Sequence, residues 1–255
     1  VREDRLRELA RVLDNAWTRA VSVPAPSSTE PSLTVDDAYS IQELVIEERL
    51  KRGGRRAGWK MGLTSAEPPT RPIVGTLLSD MIIPSGSDLA LGALIAPMVE
   101  AELVVRIGET IAGAQTVAEL ERGPHEVGPG LEVIDYRTTG SSGVEDWIAD
   151  NSTVAYAVLG ELVPVAETRP AEIEASLYGD GRHLATGKGK QVMGHPLAAV
   201  AWLSQDLLER GHALERGHVV LTGSLTGHHP VAPAGRTEFT ADFGAMGTVT
   251  VRFHP

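Results

Sequence analysis

PMVEAELVVRIG, residues 97–108, alternates along its length: Val99, Ala101, Leu103 and Val105 fall on one side, Glu100, Glu102, Val104 and Arg106 on the other. A period of two is the mark of a strand, in which residues two apart share a face. The expectation is a strand that carries Glu100 and Glu102 side by side. Two carboxylates so placed repel, and burying them uncompensated is costly. Either the pair sits on the solvent face of an edge strand, as charged side chains commonly do, or a positive charge offsets it.

A third carboxylate suggests the second reading. Glu132 lies in another strand-like run, GLEVIDYR, thirty residues after Glu102. Three carboxylates from two strands make an oxygen-rich anionic site, and oxygen-only ligation suits Mg²⁺ or Mn²⁺.

Working outward, the chain of 255 residues is long enough for one large domain or two small ones. Its net charge of −11 argues against nucleic acid or an anionic membrane as partner, since both need a basic face. No cysteine is present, which removes disulfides, thiolate nucleophiles and Cys-bound zinc. No run approaches the ~18 apolar residues of a membrane span, and the start, VREDRLRELARVLDNAW, is too charged for a signal peptide. A cytoplasmic protein is expected. Leu6, Leu9, Ala10, Leu13 and Trp17 have helical spacing over residues 3–20, and a second helix is expected from an N-cap at Thr34 to a stop at Gly53. The proline- and serine-rich VPAPSSTEPS connects them. From residue 55 onward short β-type runs dominate, TLLSDMII at 76–83 among them, interrupted by helical patterns at TVAELERG and HPLAAVAWLSQDLLERG. The expectation is an α+β protein: an N-terminal helical segment, 1–54, and a β-rich domain, 55–255, with peripheral helices.

Two further stretches carry chemistry. In GWKMGLTS, residues 58–65, Lys60 stands between Trp59 and Met61 and between two glycines. An apolar surround can aim such an ammonium at a carboxylate or enolate, although an alternating strand would also put it in solvent. VVLTGSLTG, residues 219–227, ends in glycine- and hydroxyl-rich turns whose N–H groups and Ser224 can receive an anion, or merely close a hairpin. ADNST, residues 149–153, is polar and turn-like.

In this order, GWKMGLTS, EAE, LEVIDYR with ADNS, GHPLAAVAWL, LTGSLTG and FGAMGTVTVRF, with DDAYSIQ (36–42) before them, resemble the 2-keto-4-pentenoate hydratase and 4-oxalocrotonate decarboxylase family of the fumarylacetoacetate hydrolase superfamily. The likeness spans nearly the whole chain. It implies a mixed-sheet roll with helices around it, a homo-oligomer, and a small 2-keto acid substrate. It implies that Glu100, Glu102 and Glu132 hold Mg²⁺ or Mn²⁺, that Lys60 lies beside the substrate, and that Asp80, in LLSDM, is an acid near it; a turn aspartate is the alternative. Ser65, Lys190, Ser224, Thr226 and His228 are the candidate substrate contacts. A metal-chelated 2-keto acid can form an enolate, from which both hydration of a 2-hydroxydienoate and decarboxylation of a 2-oxo-enedioate follow. KMGLTS and MGHP resemble the decarboxylases; ATG before KGK, VAWL and GSLT resemble the hydratases. Hydratase is the reading taken, decarboxylase the alternative.

The chain also departs from the family. AEPPTRPIV, residues 66–74, replaces a longer segment. GKGKQ, residues 187–191, brings Lys188 and Lys190 into a loop that is otherwise small, and Tyr136, His228 and His229 stand where other residues are usual. The lysines and histidines are read either as contacts to a second carboxylate of a diacid or as solvated loop charges. An acylpyruvate hydrolase of the same superfamily would need an activating histidine in the N-terminal half, where none occurs before His125. A non-catalytic binding protein would have no use for Lys60 with all three glutamates.

Overall fold

The computed structural model describes residues 1–65, 71–140 and 143–255. Of the shortened 66–74 stretch, residues 66–70 therefore lie outside the described residues. Helices α1 (Glu3–Arg19) and α2 (Val35–Lys51) open the chain. A capping box starts α2: Asp37 N–H donates to the Thr34 hydroxyl, and Thr34 N–H donates to the Asp37 carboxylate. The apolar stripes of the two helices bury Leu6, Leu9, Leu13, Ile41 and Val45 in one cluster with Ile73, Ile148 and Ala149 from later in the chain. Among the described residues no helix is long and apolar enough to cross a membrane.

Among the described residues twelve strands of three residues or more follow: β1 (Arg56–Gly62), β2 (Ile73–Leu78), β3 (Ile82–Pro84), β4 (Ser87–Ala90), β5 (Pro97–Arg106), β6 (Glu126–Asp135), β7 (Val154–Leu159), β8 (Glu174–Gly179), β9 (Arg182–Lys188), β10 (Val219–Ser224), β11 (Thr237–Asp242) and β12 (Thr248–His254). They form two sheets, ordered β2-β1-β10-β5-β6-β7-β3 and β9-β8-β11-β12-β4. The first is mixed: β1 runs parallel to β10, whereas β5 is antiparallel to β6. Helices α3 (Val117–Arg122), α4 (Val144–Ala149) and α5 (Pro196–Glu209) complete the α+β architecture expected from the sequence.

The opening strand behaves as its alternation requires. Val99, Ala101, Leu103 and Val105 are fully buried and join Leu197, Val200 and Leu203 of α5 and Phe239 and Phe253 of the second sheet in the main core. Glu100 and Glu102 are left on the other face.

TLLSDMII is not one strand. The chain leaves β2 at Leu78, turns with Met81 N–H donating to the Leu78 carbonyl at 3.0 Å, and re-enters as β3. Strands β2 and β3 stand at opposite ends of the strand order, so a three-residue turn joins the two edges of one sheet. That is possible only if the sheet curls on itself. Both halves are apolar because both are packed, and the hydrophobic run therefore gives no sign of the break.

Candidate metal centre and its cavity

Strands β5 and β6 pair so that Glu100 stands directly opposite Glu132, with Glu102 opposite Gly130. One oxygen from each of the three carboxylates lies within 4.8 Å of the others. Glu102 and Glu132 are 0% and 1% exposed, which excludes a solvent-facing edge. Lys60, on β1, is also buried, and its Nζ lies 3.1 Å from Glu132 Oε1. The register between β10 and β5 slips between Leu221 and Ser224, and this bulge turns the Gly223 N–H onto Glu102 Oε2 at 2.8 Å. Only glycine serves there: φ is 120°, and a Cβ would stand 1.8 Å from Thr64 Oγ1.

The electrostatics are those of a site short of positive charge. Burial pushes the Glu102 carboxyl far above the usual range, and Glu132 and Glu100 add to it. Burial likewise raises Glu132 to about 7, against the pull of Lys60. Burial alone would lower Lys60, but the charges of Glu132, Glu100 and Glu102 outweigh it and hold the ammonium protonated. Glu100 is only partly buried, and against the cost of desolvation its carboxyl stays below its ordinary value because His228 and Lys60 favour its anion. Three carboxylates and one ammonium leave two negative charges on this face when all are ionised. Glu102 Oε1 is buried with no hydrogen-bond donor among the described residues. An oxygen-only donor set, a residual charge of two and an orphaned carboxylate oxygen all fit a hard divalent cation.

These groups open into a cavity of about 560 Å³. Lys60, Ser65, Glu100, Glu132, Ser224, Thr226 and His228 line it, and His228 Nδ1 lies 3.6 Å from Glu100 Oε1. Two residues named from the sequence are not brought there. Asp80 sits exposed in the turn between β2 and β3 and lines a separate cavity with Arg49 and Tyr156. Lys190 is exposed, and Lys188 pairs with Glu174 at 3.3 Å. In β9 Gly187 is buried against the Leu225 carbonyl, so Lys188 beside it faces out; Lys190 lies beyond the strand, in the 3₁₀ turn Gly189–Gln191, and is exposed. His229 lies beside the cavity, its Nε2 3.2 Å from the Thr226 carbonyl.

The cavity also takes residues that sequence reasoning did not assign to it: Trp147 from α4, Gln191, and Ser152 and Thr153. The last two belong to a run of three non-glycine residues in the left-handed region, Asn151, Ser152 and Thr153, at φ 51°, 49° and 62°. Each such residue costs about 1–2 kcal/mol, and strain of this kind gathers at functional sites. The polarity of ADNST was the one available signal.

A model of the fumarylacetoacetate (FAA) hydrolase C-terminal family matches residues 50–254. The chain is 32% identical to the 2-oxo-hept-4-ene-1,7-dioate hydratase of Escherichia coli, covering 96% of each. It is 30% identical to a 4-oxalocrotonate decarboxylase of Pseudomonas putida, covering 96% of this chain and 95% of the other. The structure of 4-oxalocrotonate decarboxylase from Pseudomonas putida G7 complexed with magnesium and adipate superposes with a TM-score of 0.92 at 27% identity, covering 99% of this chain and 98% of that one. With its curled mixed sheet and its match over most of its length, the chain belongs to the fumarylacetoacetate hydrolase family.

Proposed function

We propose that this chain is a divalent-metal-dependent lyase that hydrates a 2-hydroxypenta-2,4-dienoate-like acid, with Glu100, Glu102 and Glu132 holding Mg²⁺ or Mn²⁺. The observation that carries the reading is the buried three-carboxylate cluster sharing a cavity with a buried lysine. When bound, the cation supplies a Lewis acid to the carboxylate and 2-oxo oxygens of the substrate. Lys60 adds a fixed positive charge beside the oxygen on which negative charge develops, held in place by Glu132 and shielded from water. Gly223 N–H fixes the rotamer of Glu102, leaving Oε1 for ligation. Trp147 and Tyr136 wall the cavity, and His228, exposed at 53% of its side chain, is placed to exchange a proton between substrate and solvent. We place residues 55–255 as the catalytic domain, carried with the helical segment 1–54 in a cytoplasmic homo-oligomer; light scattering on the purified chain tests the assembly.

The alternative is decarboxylation of a 4-oxalocrotonate-like 2-oxo-enedioate, the activity for which one of the Pseudomonas putida relatives is named. Among the described residues Lys60 is the one lysine or arginine in the cavity lining, and it and His228 are already paired with Glu132 and Glu100, so a second carboxylate finds no dedicated partner there. That favours the monocarboxylate. Incubation with 2-hydroxypenta-2,4-dienoate and with 2-oxo-3-hexenedioate, each with Mg²⁺, decides by product mass. A hydrated product from the first supports the reading; CO₂ release from the second with an inert first substrate overturns it.

A further inference from the structure

Arg137 is 1% exposed and touches none of the proposed metal ligands. Its Nε donates to Asp150 Oδ1 at 2.7 Å, and its Nη2 donates to the carbonyls of Asp150 and Val154, each at 3.1 Å. Those two residues stand immediately before and after the left-handed run Asn151–Thr153. One guanidinium thus ties both ends of it. The middle is tied by Asn151, whose side chain accepts from Thr76 N–H at 2.7 Å and donates to the Thr76 carbonyl at 2.9 Å. Left-handed backbone is disfavoured for L residues, most of all for β-branched ones such as Thr153, and persists only where the surroundings over-determine it.

The segment that leaves β6 and carries Arg137 serves two cavities. Past the metal face, Ile134 and Tyr136 line the catalytic cavity. Asp135 and Arg137, pointing the other way, line a second cavity of about 650 Å³. There the Arg137 guanidinium lies 4.4 Å from the centroid of the Trp17 ring, and Arg49 lies 3.5 Å from it.

The geometry points to Arg137 as a positioning residue: reaching through from the second cavity, it clamps the left-handed run that carries Ser152 and Thr153 into the wall of the catalytic cavity. A planar fork is required, because one donor group must meet two carbonyls and a carboxylate at once. The inference rests on the proposed reading of the first cavity as catalytic, and the displacement it prevents is small. Misplacement of about 1 Å in such a wall costs on the order of 10²-fold in rate.

The test compares Arg137→Lys and Arg137→Ala with the wild type. Lysine keeps the charge beside Asp150 but cannot make the fork. Both variants are expected to bind Mn²⁺ within about threefold of wild type by calorimetry, to lose roughly 10²-fold in kcat, and to lose hydrogen-exchange protection in the segment 150–154. Millimolar guanidinium, entering by the second cavity, is expected to restore at least a tenth of the lost kcat in Arg137→Ala and to do nothing for Arg137→Lys. If Arg137→Ala does not fold, the lysine variant decides by kcat and exchange. Wild-type kcat in a folded Arg137→Lys overturns the inference, as does a loss of Mn²⁺ affinity as large as the loss of kcat. Folded Arg137→Ala that guanidinium does not rescue also overturns it. Failure of the wild type to bind Mn²⁺ strikes the metal reading instead, and the exchange measurement still decides whether Arg137 holds the run.

Discussion

Glu102→Gln separates the cost of the site from its use. In the metal-free protein Glu102 is a buried carboxyl pushed upward by burial and by two neighbouring carboxylates, with one oxygen unpaired. Its folded pKa lies above its unfolded one, so its contribution is destabilising at pH 8 and is relieved as pH falls through the folded value. Glutamine keeps an oxygen for Gly223 N–H and gains an N–H₂ that can donate to Glu132. Removing an unsatisfied buried polar group is worth about 1–3 kcal/mol, or roughly 3–10 °C in Tm for a chain of this size. In EDTA at pH 8 the variant is therefore expected to melt above the wild type. Metal reverses the order: at 100 times its Kd a ligand adds about 2.7 kcal/mol, which the wild type gains and the variant does not. The assay is thermal melting in EDTA and in excess Mg²⁺ or Mn²⁺. A variant that keeps the full metal-induced shift refutes the ligand assignment, and one that melts well below the wild type in EDTA refutes the electrostatic account.

Three more expectations follow from named contacts. Lys60→Met should lower kcat by roughly 10²-fold or more while metal affinity changes less than about tenfold; steady-state kinetics beside a Mn²⁺ titration checks it, and near wild-type turnover would return Lys60 to a structural role. Lys190→Ala should leave the ratio of kcat/KM for dicarboxylate and monocarboxylate unchanged, since Lys190 faces out; a shift above about threefold would put it at the substrate. His125 is buried, and its Nδ1 accepts the Gly108 N–H at 3.1 Å, so burial holds its pKa below the ordinary value. The stability it gives is complete above an unfolded pKa of about 6.5 and is lost as pH falls through the lower folded value. Tm of the wild type minus that of His125→Asn should fall with pH below about 6.5, a difference in which the opposing trend of the raised carboxylates cancels; a difference independent of pH would be the contrary result.

The alternation in residues 97–108 was enough to place two carboxylates on one face, because period two leaves no other arrangement in a strand. That Glu132 joins them depends on the β5–β6 register, and register is set by which face is buried and by the connection between the strands, not by spacing along the chain. Here the family resemblance supplied what local pattern lacked. Asp80 and Lys190 show the opposite case. Asp80 stands in a family-like motif, yet a turn carries it to another cavity, and Lys190, in a loop where the chain departs from the family, lies exposed in the turn Gly189–Gln191. The left-handed run was out of reach for a different reason: positive φ is normally signalled by glycine, and Asn151-Ser152-Thr153 contains none. Its conformation is imposed by Arg137 and Thr76, thirteen or more residues away.

The single lysine among three carboxylates then has a physical reading. Full neutralisation by protein cations would make the metal-free cluster comfortable and leave nothing for a cation to gain. With none, the face would carry three negative charges when ionised, and the ion would bind more tightly with no protein charge beside the substrate oxygen. One ammonium leaves two negative charges, which matches a divalent ion, and puts a positive charge in the cavity lining beside Glu132. Lys60 weakens metal binding by repulsion, and in the metal-free state it only partly relieves Glu132, which is still raised to about 7. On the proposed reading, a lysine kept at that cost, in a site where a neutral side chain would favour the ion, is accounted for by the step in which negative charge develops on the substrate.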